Sequence, residues 1–456
     1  MNVTVVTRHL GTALLALALA RGASAQTAIP DDVRASLRAR IAARYLVGVV
    51  VGVVDSAGAR YAAEGTTAIN GGQPVNEHSM YEIGSVTKVF TALALADMVR
   101  RGEVALDDPV RHLLPEGSTV PSRNGREITL RLLSAQRSGL PRMPGNLSPR
   151  DTQNPYAGYD GAHLLDFVRG YTLPRDPGER YEYSNLGVGL LGFALAQHGH
   201  ESYEAMIARR VLTPLRMNST MVTLTPEARA RLAHGHDGER PAANWDMDAL
   251  AGAGALRSDP EDMTAFVAAA MLARSTPLDS AFALTEQVQF EAGSPAMDIG
   301  LGWHILKRPT MRIIWHNGGT GGYHSFIGFD PARKIGVVVL SNSTQSVDDI
   351  GFHTLDPSIP LTVAQVAISM AADSFDAYVG RYPLAPALTL AVIRDGDTLF
   401  LQLTAQPRFR MWPSAPDEFF LRDVDAQISF VRDGTGRVAS LVLHQNGRNV
   451  PAPRTP

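Results

Sequence analysis

GSVTKVFTALALA, residues 84–96, is the stretch that decides the fold of this 456-residue chain. Its apolar run turns polar at Asp97 and stops near Gly102, which predicts a buried helix with a charged last turn and a glycine end. Residues three apart on a helix share a face, so the amine of Lys88 can reach the hydroxyl of Ser85. The sequence therefore predicts a serine and a lysine in contact at the head of this helix.

Lysine is scarce in this chain, since only three of its 42 lysine and arginine residues are lysines. Arginine stays protonated in proteins, whereas a buried lysine can lose its proton and act as a base. The start of a helix also presents unpaired backbone N–H groups and a partial positive charge, which favour an oxyanion. Ser85 and Lys88 are therefore candidates for a nucleophile and its base, although a serine three residues before a lysine is weak evidence alone.

Two further polar segments adjoin apolar or β-forming stretches. Tyr183-Ser184-Asn185 precedes the apolar stretch 186–193. The glycine-rich segment 315–323 precedes a predicted hairpin of residues 324–329 and 335–340, with its turn at residues 330–331. Glycine lets the backbone approach a ligand closely. Both segments are therefore expected to border a pocket.

Taken in order, Ser-x-x-Lys at Ser85, Tyr-x-Asn at Tyr183 and His-x-Gly at His316 resemble the three signature motifs of the serine beta-lactamase and penicillin-binding-protein superfamily. The second motif begins with tyrosine, so the chain most resembles the branch that contains class C beta-lactamases and DD-peptidases. Supporting stretches occur at residues 81–84, 132–134, 138–141 and 253–258. The resemblance covers about residues 35 to 345.

This resemblance implies a set of catalytic residues. Ser85 would be the acylated nucleophile, and Lys88 and Tyr183 would share the proton transfers of acylation and then activate water for deacylation. The backbone N–H groups of Ser85 and Gly319 would form an oxyanion hole. No metal or organic cofactor is expected.

The resemblance also implies a substrate-binding set of Asn185, His316, Gly318 and Gly319. Asn185 would hold the substrate amide, with a turn or a helix cap as its alternative role. His316 stands where class C beta-lactamases carry lysine, so a substrate carboxylate would meet an imidazole that is only partly charged near neutral pH. This departure weakens the case for efficient beta-lactam hydrolysis. A second departure, Ala-Gln-Arg at residues 135–137 in place of His-Thr, is interpreted as variation in a substrate loop.

Other chemistries have less support in the sequence. Residues 234–237 read His-Gly-His-Asp, like part of a metallo-hydrolase ligand set, but Gly238 stands where a further histidine is expected. The chain has no cysteine and no His-Glu-x-x-His motif for zinc. It also lacks the Gly-x-Ser-x-Gly elbow of an alpha/beta-hydrolase, and residues 318–322 lack the Lys-Ser/Thr ending of a phosphate loop.

The first 25 residues are typical of a cleaved secretory signal. Arg8 and His9 precede the apolar stretch 10–20, and Ala-Ser-Ala at 23–25 suits cleavage before Gln26. The apolar stretch is too short to span a membrane, and no cysteine is present for a lipid or a disulfide. Removal of this segment changes the formal charge from −3 to −5, which attracts neither nucleic acid nor anionic membrane. A periplasmic or secreted protein with no stable membrane anchor is therefore expected.

The C-terminal part of the sequence has a different periodicity. A helix-like run at 361–370 is followed by alternating apolar residues at 388–392 and 399–403, with turn signals at 395–397 and 433–436. This pattern predicts a small all-β barrel, and the segments 375–382, 399–403 and 443–447 resemble the lipocalin-like domain that often follows these hydrolases. The expected domains are a signal peptide at 1–25, a hydrolase domain at 26–372 and a lipocalin-like domain at 373–456.

The expected fold is α/β, with an antiparallel sheet flanked by helices, a helical lobe between Ser85 and Tyr183, and the β barrel behind them. The favoured function is an exported serine hydrolase that acts on D-amino-acid peptides, of DD-carboxypeptidase or D-aminopeptidase type, with beta-lactams as further substrates. A carboxylesterase on the same machinery and a slowly deacylating penicillin-binding sensor are the alternatives. The expected partner is a small molecule or a peptide, and the sequence leaves the oligomeric state open.

Overall fold

The computed structural model describes residues 27–272, 276–404, 406, 408–422, 424, 426–445 and 448–455. The predicted signal peptide lies outside these residues. Two eight-stranded antiparallel sheets organise the described chain. The helices are α1 Asp31–Ala42, α2 Thr87–Arg100, α3 Leu130–Ser134, α4 Gly161–Gly170, α5 Asn185–His198, α6 Tyr203–Ile207, α7 Thr213–Leu215, α8 Pro226–Ala230, α9 Ala251–Gly254, α10 Pro260–Leu272, α11 Asp279–Thr285 and α12 Asp348–Leu355.

The first sheet has the strand order β2-β1-β12-β11-β10-β9-β8-β7 and confirms the predicted antiparallel sheet. Its predicted hairpin is present as β11 and β12, which pair from residue 324 to residue 341. Two short ladders, β3 with β6 and β4 with β5, lie outside this sheet. The strands up to this point are β1 Gly48–Asp55, β2 Gly58–Gly65, β3 Tyr81–Glu82, β4 His236–Asp237, β5 Arg240–Pro241, β6 Arg257–Ser258, β7 Phe290–Ser294, β8 Met297–Ile299, β9 His304–Lys307, β10 Arg312–Gly319, β11 His324–Asp330 and β12 Ile335–Ser341.

Strand β1 shows why helices cover both faces of this sheet. All eight of its residues are buried, and successive side chains of a strand point to opposite faces. Val49, Val51 and Val53 belong to the apolar cluster that contains residues of α1 and α12, whereas Val50 and Val54 belong to the larger cluster that contains residues of α2, α5 and α10. The sheet is therefore the middle layer between two layers of helices.

The helical lobe is present where the sequence predicts it. Between residues 85 and 183, all of which are described, the chain forms α2, α3, α4 and short 3-10 turns, and no strand. Helix α2 ends at Arg100 and is followed by Gly102 with a φ of 73°, as the glycine stop predicts. Twelve of its fourteen residues are buried, so α2 lies in the interior.

The second sheet is a nearly closed antiparallel barrel, which confirms the predicted all-β module. Consecutive strands pair in chain order, and the edges approach each other where the Thr455 N–H donates to the Arg381 carbonyl at 2.9 Å. Its interior is filled by apolar and tyrosine side chains. The strands are β13 Gly380–Ala385, β14 Leu388–Asp395, β15 Thr398–Leu403, β16 Arg408–Ala415, β17 Glu418–Leu421, β18 Gln427–Arg432, β19 Val438–Gln445 and β20 Arg448–Pro453.

The helix predicted at 361–370 is wrong. This segment has no helical structure, and the Ile368 N–H donates instead to the Pro413 carbonyl of β16 at 2.8 Å. Val363 and Val366 are 81% and 61% exposed, so their apolar side chains form no buried helical face. The segment is a non-helical connection between the two sheets, and one of its backbone N–H groups pairs with a barrel strand.

A buried arginine ties this connection to the first helix. The Arg40 side chain is 1% exposed, and its guanidinium binds both carboxylate oxygens of Asp349 and the Thr362 carbonyl, the latter at 3.1 Å. The Thr362 N–H donates to the same carboxylate at 2.6 Å. Arg40 and Asp349 therefore join α1, α12 and the start of the connection.

We expect Arg40→Ala to lower the free energy of unfolding by roughly 2–4 kcal/mol, because the Asp349 carboxylate would remain mostly buried without its guanidinium. Arg38→Ala on the same helix is the control. It removes a 3.9 Å pair with Glu64 in which the arginine is 60% exposed, and should change the stability by less than about 1 kcal/mol. Urea denaturation followed by circular dichroism measures both variants, and equal losses would contradict the assignment.

Candidate active site

The serine and the lysine meet at the start of α2. Ser85 lies in a 3-10 turn, Gly84–Val86, that leads directly into the helix. The Lys88 Nζ donates to the Ser85 Oγ at 2.9 Å and to the Ala253 carbonyl at 2.7 Å. The predicted contact between the two side chains is therefore present, and α9 supplies a second partner that fixes the amine.

Burial controls the charge of this amine. The Lys88 side chain is fully buried, and desolvation lowers its pKa well below the ordinary value, with a further lowering by the positive charge of Arg142. A lysine with a strongly lowered pKa is neutral over much of the range where an ordinary lysine is charged. Its nitrogen then has a lone pair that can accept the proton of the Ser85 hydroxyl.

Tyr183 lies just before α5, and its hydroxyl is hydrogen-bonded to Ser85. Burial raises the pKa of Tyr183 above its ordinary value, although the hydrogen bond to Ser85 acts in the opposite direction. The Lys88 Nζ lies 4.9 Å from the centre of the Tyr183 ring. The structure thus brings Ser85, Lys88 and Tyr183 together, with a neutral amine and a protonated phenol beside one hydroxyl.

Gly318 of β10 and Gly84 of the Ser85 turn allow the two backbone segments to meet. A Cβ on Gly318 would lie 2.1 Å from the Ile83 carbonyl oxygen and 2.9 Å from the Ser85 nitrogen. Gly84 has a φ of 49°, and a Cβ there would lie 2.8 Å from the Gly319 nitrogen. Contacts this close exclude side chains at both places. The amides of Ser85 and Gly319 therefore belong to two backbone segments in direct contact.

Asn185 is the first residue of α5, but it does not cap the helix. That role belongs to Ser184, whose Oγ accepts the Gly187 N–H at 2.8 Å. The Asn185 amide nitrogen contacts the Met143 sulfur at 3.4 Å, while its buried Oδ1 has no hydrogen-bond partner among the described residues. An acceptor is therefore left available beside Ser85.

His316 differs from its sequence prediction. The side chain is 1% exposed, its Nδ1 contacts the Asn317 carbonyl at 2.6 Å, and its ring packs against His304 with 5.0 Å between the centres. Burial lowers the pKa of His316 well below the ordinary value, and the nearby His304 and Lys88 lower it further. Burial therefore disfavours the partial positive charge expected near neutral pH, because the imidazole has almost no contact with solvent.

Residues 135–137 also serve a different purpose from the substrate loop suggested by the sequence. Gln136 is 3% exposed and adopts a φ of 60°. Its Oε1 accepts the Ser184 N–H at 2.7 Å, and its carbonyl accepts the Glu182 N–H at 2.8 Å. Gln136 is thus a buried support for the segment that carries Tyr183 and Asn185.

A cavity of about 440 Å³ opens in front of Ser85. Tyr183, Asn185, Gly318 and Gly319 line it, whereas His316 does not. Sequence reasoning did not identify several residues of its wall. These are Arg142, Met143, Tyr156, Trp245, His304, Asn317 and His324.

Only two of these wall residues had a usable signal in the sequence. Arg142 directly follows the quoted stretch 138–141, and Asn317 lies inside the His-x-Gly motif. His304 comes from β9, where its Nε2 contacts the Tyr181 hydroxyl at 3.0 Å, and burial lowers its pKa to about 4. Tyr156 and Trp245 stand on separate loops and meet edge to face at 5.0 Å, a contact that no local pattern predicts.

Comparison with known proteins agrees with this geometry. The family described as Beta-lactamase matches residues 33–354. The chain belongs to the beta-lactamase family. It is therefore a serine hydrolase of the superfamily that includes beta-lactamases and DD-peptidases. The family described as Domain of unknown function (DUF3471) matches residues 364–451, which contain the barrel strands up to β19.

Individual relatives include both named activities. The chain is 27% identical over 365 residues to a beta-lactamase of Escherichia coli K12, which covers 72% of this chain and 93% of that protein. It is 29% identical to the D-alanyl-D-alanine-carboxypeptidase/endopeptidase AmpH of the same organism, over 58% of this chain and 70% of that protein. A crystal structure of a beta-lactamase/D-alanine carboxypeptidase from Yersinia pestis has a TM-score of 0.61 and 26% identity, and the match covers 70% of this chain and 92% of that one.

In this beta-lactamase-family hydrolase, the close glycine contact leads to a first prediction for the site. Gly318→Ala should lower the rate of Ser85 acylation at least about tenfold, because the new methyl group must push β10 away from the Ser85 turn. Gly170→Ala is the control, since a Cβ there meets nothing within 4 Å. Stopped-flow measurement with a chromogenic ester compares them, and an unchanged rate in Gly318→Ala would show that the contact is not needed.

The buried amine leads to a second prediction. If neutral Lys88 accepts the serine proton, acylation is fast above its lowered pKa and falls as the pH drops through that value. Single-turnover acylation measured from about pH 5 to pH 10 should therefore reach its plateau well below the ordinary lysine pKa and fall on the acid side of that plateau. A rate that rises only near the ordinary lysine pKa of about 10.4 would contradict a neutral amine.

Proposed function

We propose that this protein is an exported serine hydrolase that cleaves D-amino-acid peptides, of DD-carboxypeptidase or D-aminopeptidase type, through an acyl-enzyme on Ser85. The 2.9 Å contact between the buried Lys88 Nζ and the Ser85 Oγ is the observation that carries this proposal. A nucleophilic hydroxyl needs a base within hydrogen-bond reach, and here the base is held neutral by burial. Beta-lactams are proposed to acylate the same serine.

Acylation begins when the Ser85 Oγ attacks the substrate carbonyl carbon and its proton passes to the Lys88 Nζ. The negative charge on the carbonyl oxygen is stabilised by the N–H groups of Ser85 and Gly319. The Tyr183 hydroxyl donates its proton to the leaving nitrogen, the C–N bond breaks, and the Lys88 ammonium returns a proton to Tyr183. The enzyme is left with an ester on Ser85 and neutral Lys88 and Tyr183 side chains.

Deacylation uses the same groups in reverse. Tyr183 takes a proton from water while it passes its own proton to the neutral Lys88, and the water oxygen attacks the ester carbonyl carbon. The Lys88 ammonium then returns a proton to the Ser85 Oγ as the bond between this oxygen and the acyl carbon breaks. The buried, unpartnered Oδ1 of Asn185 accepts a hydrogen bond from the amide N–H of the acyl part during both steps. No step requires a charged His316.

The names of the relatives support the substrate class. One is a D-alanyl-D-alanine-carboxypeptidase/endopeptidase, and another is a beta-lactamase. Both activities break an amide bond by acyl transfer, which is the chemistry that the Ser85 turn can perform.

A carboxylesterase activity is the second candidate, and His316 favours it. A neutral imidazole enclosed behind the cavity does not supply the third motif with a positive charge for a substrate carboxylate. An ester also needs less protonation of its leaving group than an amide does. Esters without a carboxylate are therefore proposed as additional substrates of the same serine.

The proposed location and domain limits follow from the sequence. Export through the signal peptide at 1–25 would place the enzyme in the periplasm or outside the cell. Among the described residues, no helix combines the length and apolar character that a bilayer crossing needs. We propose domain limits of 26–372 and 373–456, which the family matches at 33–354 and 364–451 support.

Replacement of the two central residues tests the proposed chemistry. Ser85→Ala should remove the covalent adduct and lower turnover at least about a thousandfold, and Lys88→Arg should be nearly as damaging because arginine does not give up its proton. Intact-protein mass and product release would be followed with a D-Ala-D-Ala peptide, a chromogenic cephalosporin and a short-chain nitrophenyl ester.

The pattern over these substrates separates the candidates. Rapid release from the peptide supports the peptidase, and release from the ester alone supports the esterase. A stable cephalosporin adduct without release from any substrate would favour the slowly deacylating sensor. Near-normal turnover in Ser85→Ala would refute the acyl-enzyme mechanism.

A further inference from the structure

The cavity in front of Ser85 contains one permanent charge. Of the described residues that line it, Arg142 is cationic at all relevant pH values and none is acidic. His304 and His324 also line the wall, but burial lowers the pKa of both imidazoles, to about 4 in His304. Arg142 is therefore the charged side chain that a substrate meets in the described wall of this cavity.

The backbone at Arg142 is fixed although its side chain is exposed. The Arg142 carbonyl accepts the N–H groups of Asn185 and Leu186 at 3.0 and 3.2 Å, at the start of α5. The preceding carbonyl, of Pro141, accepts the Ser184 hydroxyl at 2.6 Å. The loop that carries Arg142 is thus bound to the same helix start that carries Asn185. The backbone position from which the Arg142 side chain extends is therefore fixed.

The guanidinium itself keeps its hydrogen-bonding capacity. Its carbon lies 5.0 Å from the centre of the Tyr183 ring, and no carboxylate of the described residues lies within 4.0 Å of it. The nearby Asp348 is held behind the wall, where its Oδ2 accepts the Asn317 amide at 2.6 Å. Arginine presents up to five N–H donors in a planar fork that matches a carboxylate.

The backbone hydrogen bonds between Arg142 and the start of α5 indicate which side of the cavity Arg142 borders. Under the proposed function, Asn185 holds the amide of the acyl part, so the loop tied to Asn185 borders the acyl part rather than the leaving group. The Tyr183 hydroxyl is bonded to Ser85, and Arg142 lies on the ring of this tyrosine.

We propose that Arg142 is a specificity-determining residue that binds a carboxylate on the acyl part of the substrate, so that this hydrolase prefers acyl donors with a negative charge before the scissile bond. This inference rests on the proposed function. It identifies the substrate class as peptides or esters in which an acidic group precedes the reacting D-residue. Tyr156 and Trp245 form the aromatic part of the same wall and cover the carbon chain that carries the acidic group.

Two esters whose acyl parts differ by one added CH2–COO− group test the proposal. These are the 4-nitrophenyl esters of N-acetyl-D-alanine and N-succinyl-D-alanine, and the measured quantity is the ratio of kcat/KM for the succinyl ester to that for the acetyl ester. We expect the unmodified enzyme to have a ratio of about ten, since a charge-assisted pair to arginine is stronger than a neutral hydrogen bond. Arg142→Gln should lower the ratio to about one.

Three controls make the ratio specific. Arg142→Lys keeps the charge and should retain part of the preference. Arg150→Gln removes the same charge from an exposed residue that does not line the cavity, and should leave the ratio unchanged. Higher salt should lower the ratio of the unmodified enzyme, because screening weakens an exposed ion pair. A variant that merely misplaces Tyr183 would slow both esters and leave the ratio intact.

The leaving-group side is tested with N-acetyl-D-Ala-D-Ala and its C-terminal amide. A preference for the free carboxylate that Arg142→Gln abolishes would overturn the acyl-side assignment. An unchanged succinyl-to-acetyl ratio in Arg142→Gln, while Ser85→Ala stops both reactions, would overturn the role of Arg142 and leave the proposed function standing. Turnover that persists in Ser85→Ala would refute the proposed function and this inference together.

Discussion

The structure depends on a lysine amine that is shielded from water. Lys88 is fully buried, and an isolated ammonium in such a place would be strongly destabilising, so burial lowers the pKa of the amine and favours its neutral form. This condition requires the apolar surroundings of α2, and it requires the Ala253 carbonyl as a partner for the amine at 2.7 Å. The helical layers around the first sheet therefore serve chemistry as well as stability, because they hold a base in the form that can accept a proton.

Local spacing explains which parts were predictable from the sequence. Ser85 and Lys88 lie one helical turn apart, so their contact follows from helix geometry alone. The β11–β12 hairpin follows from apolar runs and a turn signal, and the barrel follows from alternating residues. The approach of β10 to the Ser85 turn was indicated only by the glycines of this strand. Glycine allows two backbone segments to come close, but the sequence does not specify how close they come.

Other features depend on neighbours that are distant in sequence. The pKa of His316 is lowered by its burial and by His304 and Lys88, which come from β9 and α2. Gln136 looked like loop variation because its partner, the Ser184 N–H, lies 48 residues away. The segment 361–370 is apolar enough for a helix, but its Ile368 N–H donates to a carbonyl of β16. Here a tertiary hydrogen bond outweighs local helix propensity.

The scarcity of lysine also has a consequence for chemical handling of the protein. Lys88 is enclosed behind Ser85, so an amine-reactive reagent meets two other lysines first, Lys307 at the end of β9 and the exposed Lys334 between β11 and β12. Lys307 is 42% exposed and paired with Asp298. Coupling of dyes or surfaces through lysine amines is therefore restricted to two defined points of the first sheet, and the barrel, which has no lysine, carries no such handle.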